Sequence, residues 1–213
     1  MKKTQEHKNG SLSFSSKTLW ISLICVVLAL SLAVACVIVF LPEKGENRGE
    51  SDSIYYYPVK YDEDIFENQA YLEFERDLFY SASGITKEYR FIEDRDSASV
   101  ECRFFIDYFD AVIRGDYEAY NGFFVDDYFE TAPEFTMQMI YEPYVMLHSV
   151  TEEEIEGEIK SIYNFEVRYR IFKNNGTFRQ GVASNQAVPQ IYRLIKSEDS
   201  YKILSILDVE YED

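Results

Sequence analysis

Residues 104–124 read FFIDYFDAVIRGDYEAYNGFF, and residues 155–171 read IEGEIKSIYNFEVRYRI. The first stretch carries a helical period and the second a period of two, so the pair points to an α+β domain with helices first and a sheet after them. Within 98–114, Ala98, Cys102, Phe105, Phe109 and Val112 fall on one helical face, with Ile106 and Ile113 beside them. Arg103, Asp107, Asp110 and Arg114 take the opposite face and offer the pairs Arg103–Asp107 and Asp110–Arg114. Asp96 or Ser97 can cap the start. Gly115 ends the helix, and Asp116 caps a short second one over DYEAYNGFF.

From Ile155 to Ile171 the odd positions are mostly apolar or aromatic and the even ones mostly charged, as one long strand bent near Gly157 or Ser161 would require. Asn174-Asn175-Gly176 is a hairpin signal. Further strands are predicted around 177–184, 188–196 and 201–209, with residues 197–200 turning the last pair. Toward the N-terminal side, Thr131-Ala132-Pro133-Glu134 has capping-box spacing and predicts a third helix that Pro143 must kink or end. Residues 62–81 carry a mixed stripe of Ile65, Gln69, Leu72, Arg76 and Phe79, read as a helix that Gly84 can cap. Asp62, Asp64 and Glu73 have the spacing of a calcium loop. Phe66 stands where a ligand is needed and Glu67 where glycine is needed, so the stretch reads as an acidic helical face.

Residues Leu19–Leu41 contain no charge and only Ser22 and Ser31 as polar members. As a helix they extend about 34 Å, enough to cross a hydrocarbon core of about 30 Å. Ala33-Val34-Ala35-Cys36 resembles a lipoprotein cleavage site, but the apolar run continues past it to Leu41. Lys2, Lys3, Lys8 and Lys17 precede the run, whereas Lys44 and Arg48 follow it among Glu43, Glu46, Glu50 and Asp52. The positive-inside rule then places residues 1–17 in the cytoplasm as a tail, 18–41 across the membrane, and the rest outside. Residues 42–61 read as an acidic flexible linker, and 62–213 as an extracytoplasmic α+β domain. The expected localisation is therefore the cell membrane, single-pass, with membrane lipid as a partner through Leu19–Leu41. Tyr55-Tyr56-Tyr57-Pro58 marks the linker's end; its tyrosines suit either the headgroup region or the domain surface.

The chain has 213 residues and a net charge of −17. A surface this acidic repels phosphate backbones, which argues against nucleic acid as a partner and for basic proteins or cations. Cys25 and Cys36 lie in the apolar run, leaving Cys102 alone beyond it, so the domain has no internal disulfide to rely on. That favours a bacterial surface protein with a self-sufficient core.

The order of long helix, Gly-Asp-Tyr break, short helix, third helix and long bent strands resembles the nuclear transport factor two-like superfamily, the cystatin-like cone fold. The resemblance is carried by 104–124 and the strand series from 155 to 209, and covers about 97–210. It implies helices packed in a curved antiparallel sheet around a cone-shaped cavity, in a superfamily of isomerases, cyclases, binding modules and non-catalytic assembly domains. Membrane-anchored versions look like scaffold subunits of bacterial conjugation and type IV secretion machines.

In superfamily isomerases a tyrosine hydroxyl and buried carboxylates polarise a carbonyl, which makes Tyr108, Asp116, Tyr117 and Tyr120 the cavity residues to inspect. The simpler reading is that aromatics fill the cone, since the chain has 18 Tyr and 16 Phe, and that Asp116 is a helix cap. His148 is the only histidine beyond the apolar run and reads as a surface or helix-end residue. With no second histidine and no cysteine cluster, neither a zinc site nor any other metal or cofactor is expected. Cys102 reads as a small buried hydrophobe. The expected function is a membrane-anchored binding or assembly module without catalytic activity, with a protein partner. The alternative is a small-molecule-binding or isomerase/cyclase-type enzyme using the cone cavity.

Overall fold

In the computed structural model, which describes residues 53–209, Asp64 and Asn68 each turn a side chain onto backbone two or three residues ahead. Two successive caps leave only a 3-10 turn at Ile65–Glu67 and one helical turn at Gln69–Leu72. The helix expected over 62–81 therefore does not form. Its second half is strand β1 (Leu78–Ala82), which returns through Ser83-Gly84 into β2 (Ile85–Tyr89). Both turn residues have positive φ, so Gly84 closes a tight hairpin rather than capping a helix.

Helix α1 (Val100–Arg114) starts at Ser99, whose hydroxyl accepts from the Cys102 N–H; Asp96 and Ser97 fall in a 3-10 turn just before it. It stops at Gly115 (φ 69°), with the Asp116 N–H returning to the Ala111 carbonyl. Asp116 then accepts from the Ala119 N–H and starts α2 (Tyr117–Asn121). The pair Asp110–Arg114 forms. Asp107 is taken by Arg95 in a two-bond fork, not by Arg103, because the segment before the helix brings a guanidinium into better geometry.

Four strands follow: β3 (Ile140–Ile155), β4 (Glu158–Ile171), β5 (Gln190–Ser197) and β6 (Ser200–Asp208). The six strands form one curved sheet in the order β2-β1-β3-β4-β5-β6. It is mixed rather than antiparallel, because β1 and β3 are parallel. A parallel neighbour needs a crossover, and the chain supplies it with α1 and α2. Slips in register between Tyr141 and Tyr144, between Leu147 and Ser149, and between Arg193 and Leu194 mark where the ladder is irregular.

The third helix expected from Thr131 is absent. Residues 131–139 form neither helix nor strand, and Ile140, Tyr141 and Pro143 already belong to β3. The backbone there is spent on tertiary partners: Thr136 N–H donates to Thr177 and Gln138 N–H to the Ile113 carbonyl. His148 accordingly lies exposed on a strand, not at a helix end.

The long strand expected from Ile155 is two strands. Glu156 and Gly157, both at positive φ, turn β3 into β4. The odd positions Phe165, Val167, Tyr169 and Ile171 are buried as the alternation requires, but Ile159 is 68 % exposed and the inward position before Phe165 is Ile162. Beyond Ile162 no third strand pairs with β4, so the outer end of the hairpin has no core face to obey.

Residues 177–184 form no strand. They belong to a loop, 172–189, folded around Asn174, whose buried amide donates to the carbonyls of Arg179 and Val182. Asn174-Asn175-Gly176 is thus the internal brace of a loop and not a two-residue hairpin. Tyr56 packs its ring against Gly176, and its hydroxyl accepts from the Gly181 N–H.

The core lies between α1 and the inner sheet face. Phe105, Phe109, Val112, Val145, Phe165, Val167, Leu194 and Ile203 are all excluded from water, each worth about 1.5–3 kcal/mol of burial. Among the described residues no helix is long and apolar enough to cross a membrane. The tail 1–17, the run Leu19–Leu41 and the linker as far as residue 52 lie outside the described residues.

Candidate functional site

The structure draws two of the four sequence candidates together and separates the others. Tyr108, on the buried face of α1, shares a 3.0 Å hydroxyl–hydroxyl hydrogen bond with Tyr192 of β5. Tyr120, at the buried end of α2, packs its ring 5.5 Å from that of Tyr108. Asp116 is exposed and occupied as the cap of α2, and Tyr117 is half-buried at the edge of the core.

The interior group is larger than the sequence indicated. Tyr169, from β4, packs edge-on against Phe109 and carries the Arg179 guanidinium 5.3 Å from its ring centre. Phe178, the neighbour of Arg179 on the 172–189 loop, packs against Tyr120 and Phe135 at 5.6 and 5.0 Å. Tyr169 and Tyr192 were visible only as apolar-face positions of strands, and Arg179 sat in a stretch read as strand; nothing in its local pattern marks it.

Burial pushes the hydroxyls of Tyr108 and Tyr192 well above the usual tyrosine range, and raises Tyr120 and Tyr169 as well. At Tyr169 and Tyr192 the Arg179 charge opposes that rise without cancelling it. All four are therefore neutral phenols at physiological pH, two of them, Tyr108 and Tyr192, bonded to each other. The buried polar residues are Ser81, Gln138, Asn174 and Arg179, so no carboxylate lies in the core among the described residues. The nearest approach to one is Glu101, half-buried. Burial acts to raise it, but hydrogen bonds from its own N–H, from Tyr201 and from Ser99 outweigh burial and hold it below the usual carboxylate range. Cys102, wholly buried on α1, is pushed up to about 12 by burial and by the Glu101 charge. It is a thiol in the core, not a nucleophile.

Because Tyr108 and Tyr192 satisfy each other, Tyr108→Phe alone is expected to cost about 1–3 kcal/mol by orphaning the Tyr192 hydroxyl. The double change to Phe at both positions is expected to cost less than the sum of the singles, in a denaturant-unfolding double-mutant cycle.

Two features lie on the surface of the described residues. A groove of about 290 Å³ is lined by Tyr57, Lys60, Arg114, Thr136, Met139 and Lys173, among others. At the β1–β2 hairpin, carboxylate oxygens of Glu75, Asp77 and Glu88 lie within 4.8 Å of one another. Partial burial and the charges of Glu75 and Glu88 raise the Asp77 carboxyl above its usual range. An acid whose folded value is raised destabilises the fold as pH rises through the acid range, so relieving the repulsion should help at neutral pH. Glu88→Gln is expected to stabilise the domain by about 0.5 kcal/mol or less at pH 7 and to lose that gain at pH 3, read by urea midpoints at both pH values.

No protein-family model, curated protein or solved structure matches this chain.

Proposed function

We propose that the chain is a membrane-anchored, extracytoplasmic binding or assembly module without catalytic activity. Leu19–Leu41 is its single span, with the N-terminal lysines on the cytoplasmic side and residues 53–209 outside. Within this proposal the domain is a cone-type member of the nuclear transport factor two-like superfamily, comparable to scaffold components of a cell-envelope or conjugation machine. Support for that kinship is the helix–Gly-Asp–helix break at 114–117 followed by β3 to β6.

One observation carries the functional reading. The space between α1 and the sheet is filled by the rings of Phe105, Tyr108, Phe109, Tyr120, Phe165 and Tyr192, with no carboxylate among them. Proton transfer next to a carbonyl needs a base within reach of substrate, and this interior offers neutral phenols and one guanidinium. What the domain does present is the outer sheet face. There Phe79 neighbours Tyr144, Tyr144 pairs with Arg168, Glu166 with Ile191, and Ile191 with Leu207. Half-exposed apolar and aromatic residues mixed with charges in this way suit a protein partner.

The Arg179 guanidinium beside the Tyr169 ring, in the same core as the Tyr108–Tyr192 hydroxyl pair, favours the alternative, a small-molecule-binding or isomerase/cyclase-type enzyme, which would have to draw its base from outside the core.

The test uses the full chain in cells. External protease should remove the domain while the lysine-rich N-terminus stays protected. Photo-crosslinkers at Tyr144 and Leu207 should give discrete protein adducts that the same probe at Asp116 does not. A domain that survives until the membrane is broken, or a sheet face that yields no adduct beyond the Asp116 control, contradicts the proposal.

A further inference from the structure

Arg179 is 9 % exposed, yet it makes no ion pair with any described residue. Its Nη1 is shut away from water and donates to no described residue. Burying a guanidinium without an anion is costly, and a cation–π contact such as that with Tyr169 returns only part of the cost. The usual solution is a carboxylate, and the core around Arg179 contains none. Nor can the tyrosines supply the charge, because all four are held protonated by burial.

The backbone that bears Arg179 is fixed. Asn174 donates to the Arg179 carbonyl at 2.9 Å and to the Val182 carbonyl at 2.8 Å, and Tyr56 holds the next turn through Gly181. The guanidinium is therefore aimed inward by a braced loop and not left there by a loose one. Rings of Phe178, Tyr120 and Phe135 crowd the same end of the core, which limits any occupant to a few atoms.

We propose that a small monovalent anion, of the size of chloride or formate, binds in the interior against Nη1 of Arg179, with the hydroxyl of Tyr169, whose ring lies beside the guanidinium, as a further donor. One uncompensated positive charge calls for one negative charge. Phenolic O–H groups are good donors to either ion. The bound anion ties the 172–189 loop to β4 and β5 and completes the closure of the core. The inference is independent of the membrane reading, since it concerns residues 108–192 alone.

Purified full chain in detergent is unfolded thermally in sodium chloride, sodium formate and sodium gluconate at equal ionic strength. The first two are expected to raise Tm in a saturable way, by roughly 3–6 °C at ten times the dissociation constant, while gluconate, too large to enter, does not. Arg179→Met should abolish the salt-specific difference, and in gluconate should unfold no earlier than the wild type, having lost an unpaired buried charge. As a readout that needs no variant, the ³⁵Cl resonance should broaden in the presence of the chain and sharpen again on adding formate. A response to only one of the two anions identifies the occupant. Equal Tm in all three salts with no displaceable ³⁵Cl broadening overturns the proposal, as does a full salt-specific shift retained in Arg179→Met.

Discussion

Phe105→Ala is expected to lower the stability of the domain by about 3–5 kcal/mol, measured as the change in unfolding free energy from urea or guanidinium midpoints. Phe105 is fully buried on α1. Its ring meets Phe104 at 5.2 Å and Phe165 of β4 at 5.0 Å, both edge-on, and Tyr192 of β5 at 6.4 Å. It thus joins the helix to β4 and β5, which are neighbours in the sheet. Removing its ring takes away about six carbons of burial and leaves a void among stiff rings that have little freedom to collapse. Domains of this size have about 5–15 kcal/mol in total, so the variant should melt about 10 °C or more below the wild type. Phe105→Leu, which refills part of the space, should recover much of the loss. A Phe105→Ala variant within about 1 kcal/mol of the wild type would mean that the helix does not pack on β4 and β5 as described.

Gly115→Ala carries the second large effect, for a different reason. Gly115 ends α1 at φ 69°, a region that costs a residue with a Cβ about 1–2 kcal/mol. A Cβ at this point would also lie 2.6 Å from the Met137 backbone nitrogen and 2.8 Å from the Thr136 carbonyl carbon. Both contacts are with main chain, so no rotamer change relieves them. The 131–139 segment must move, although it is held to α1 by the Gln138 N–H and to the loop by Thr177. Overpacking of this kind adds about 1–3 kcal/mol, and the total expected loss is about 2–5 kcal/mol. Gly84→Ala supplies the control. It has a similar positive φ but nothing within 4 Å of the Cβ position, so it should show the conformational cost alone. Equal losses for the two variants would remove the close approach between α1 and the 131–139 segment.

Local signals with a single physical meaning were legible in the sequence. The Gly115-Asp116 break ends one helix and starts the next as its chemistry requires. The face of α1 bearing Cys102, Phe105, Phe109 and Val112 is buried, and β5 and β6 fall close to the expected ranges. Signals with two meanings misled. Thr131-Ala132-Pro133-Glu134 has the spacing of a capping box, but its downstream backbone donors find partners on Thr177 and Ile113, which no local pattern reveals. The alternation counted from Ile155 lies almost wholly in β4, with Ile155 alone on the β3 side of the Glu156-Gly157 turn, so the turn leaves no visible break in it. A bent strand and a hairpin therefore look alike from the side chains alone. The parallel pairing of β1 with β3 was out of reach for the same reason, since β1 lay inside a stretch that also fits a helix.

At the site, Tyr108 and Tyr120 could be named only through the resemblance to the cone fold, since the apolar face read from helical spacing does not include them. Asp116 could be assigned to either a cavity or a cap, and the structure gives it the cap. Arg179 could not be found at all. Its importance comes from what surrounds it: burial, the Tyr169 ring and the lack of a carboxylate. These are properties of the assembled fold, contributed by α1, α2, β4 and β5 together.

The most direct test of the proposed role is where the intact polypeptide goes when a detergent solution is warmed into two phases. With its N-terminal lysines verified by mass spectrometry, the full chain should enter the detergent-rich phase, and deletion of Leu19–Leu41 should return it to the aqueous one. Recovery of the intact chain in the aqueous phase would contradict a membrane anchor, and with it the extracytoplasmic module proposed for residues 53–209.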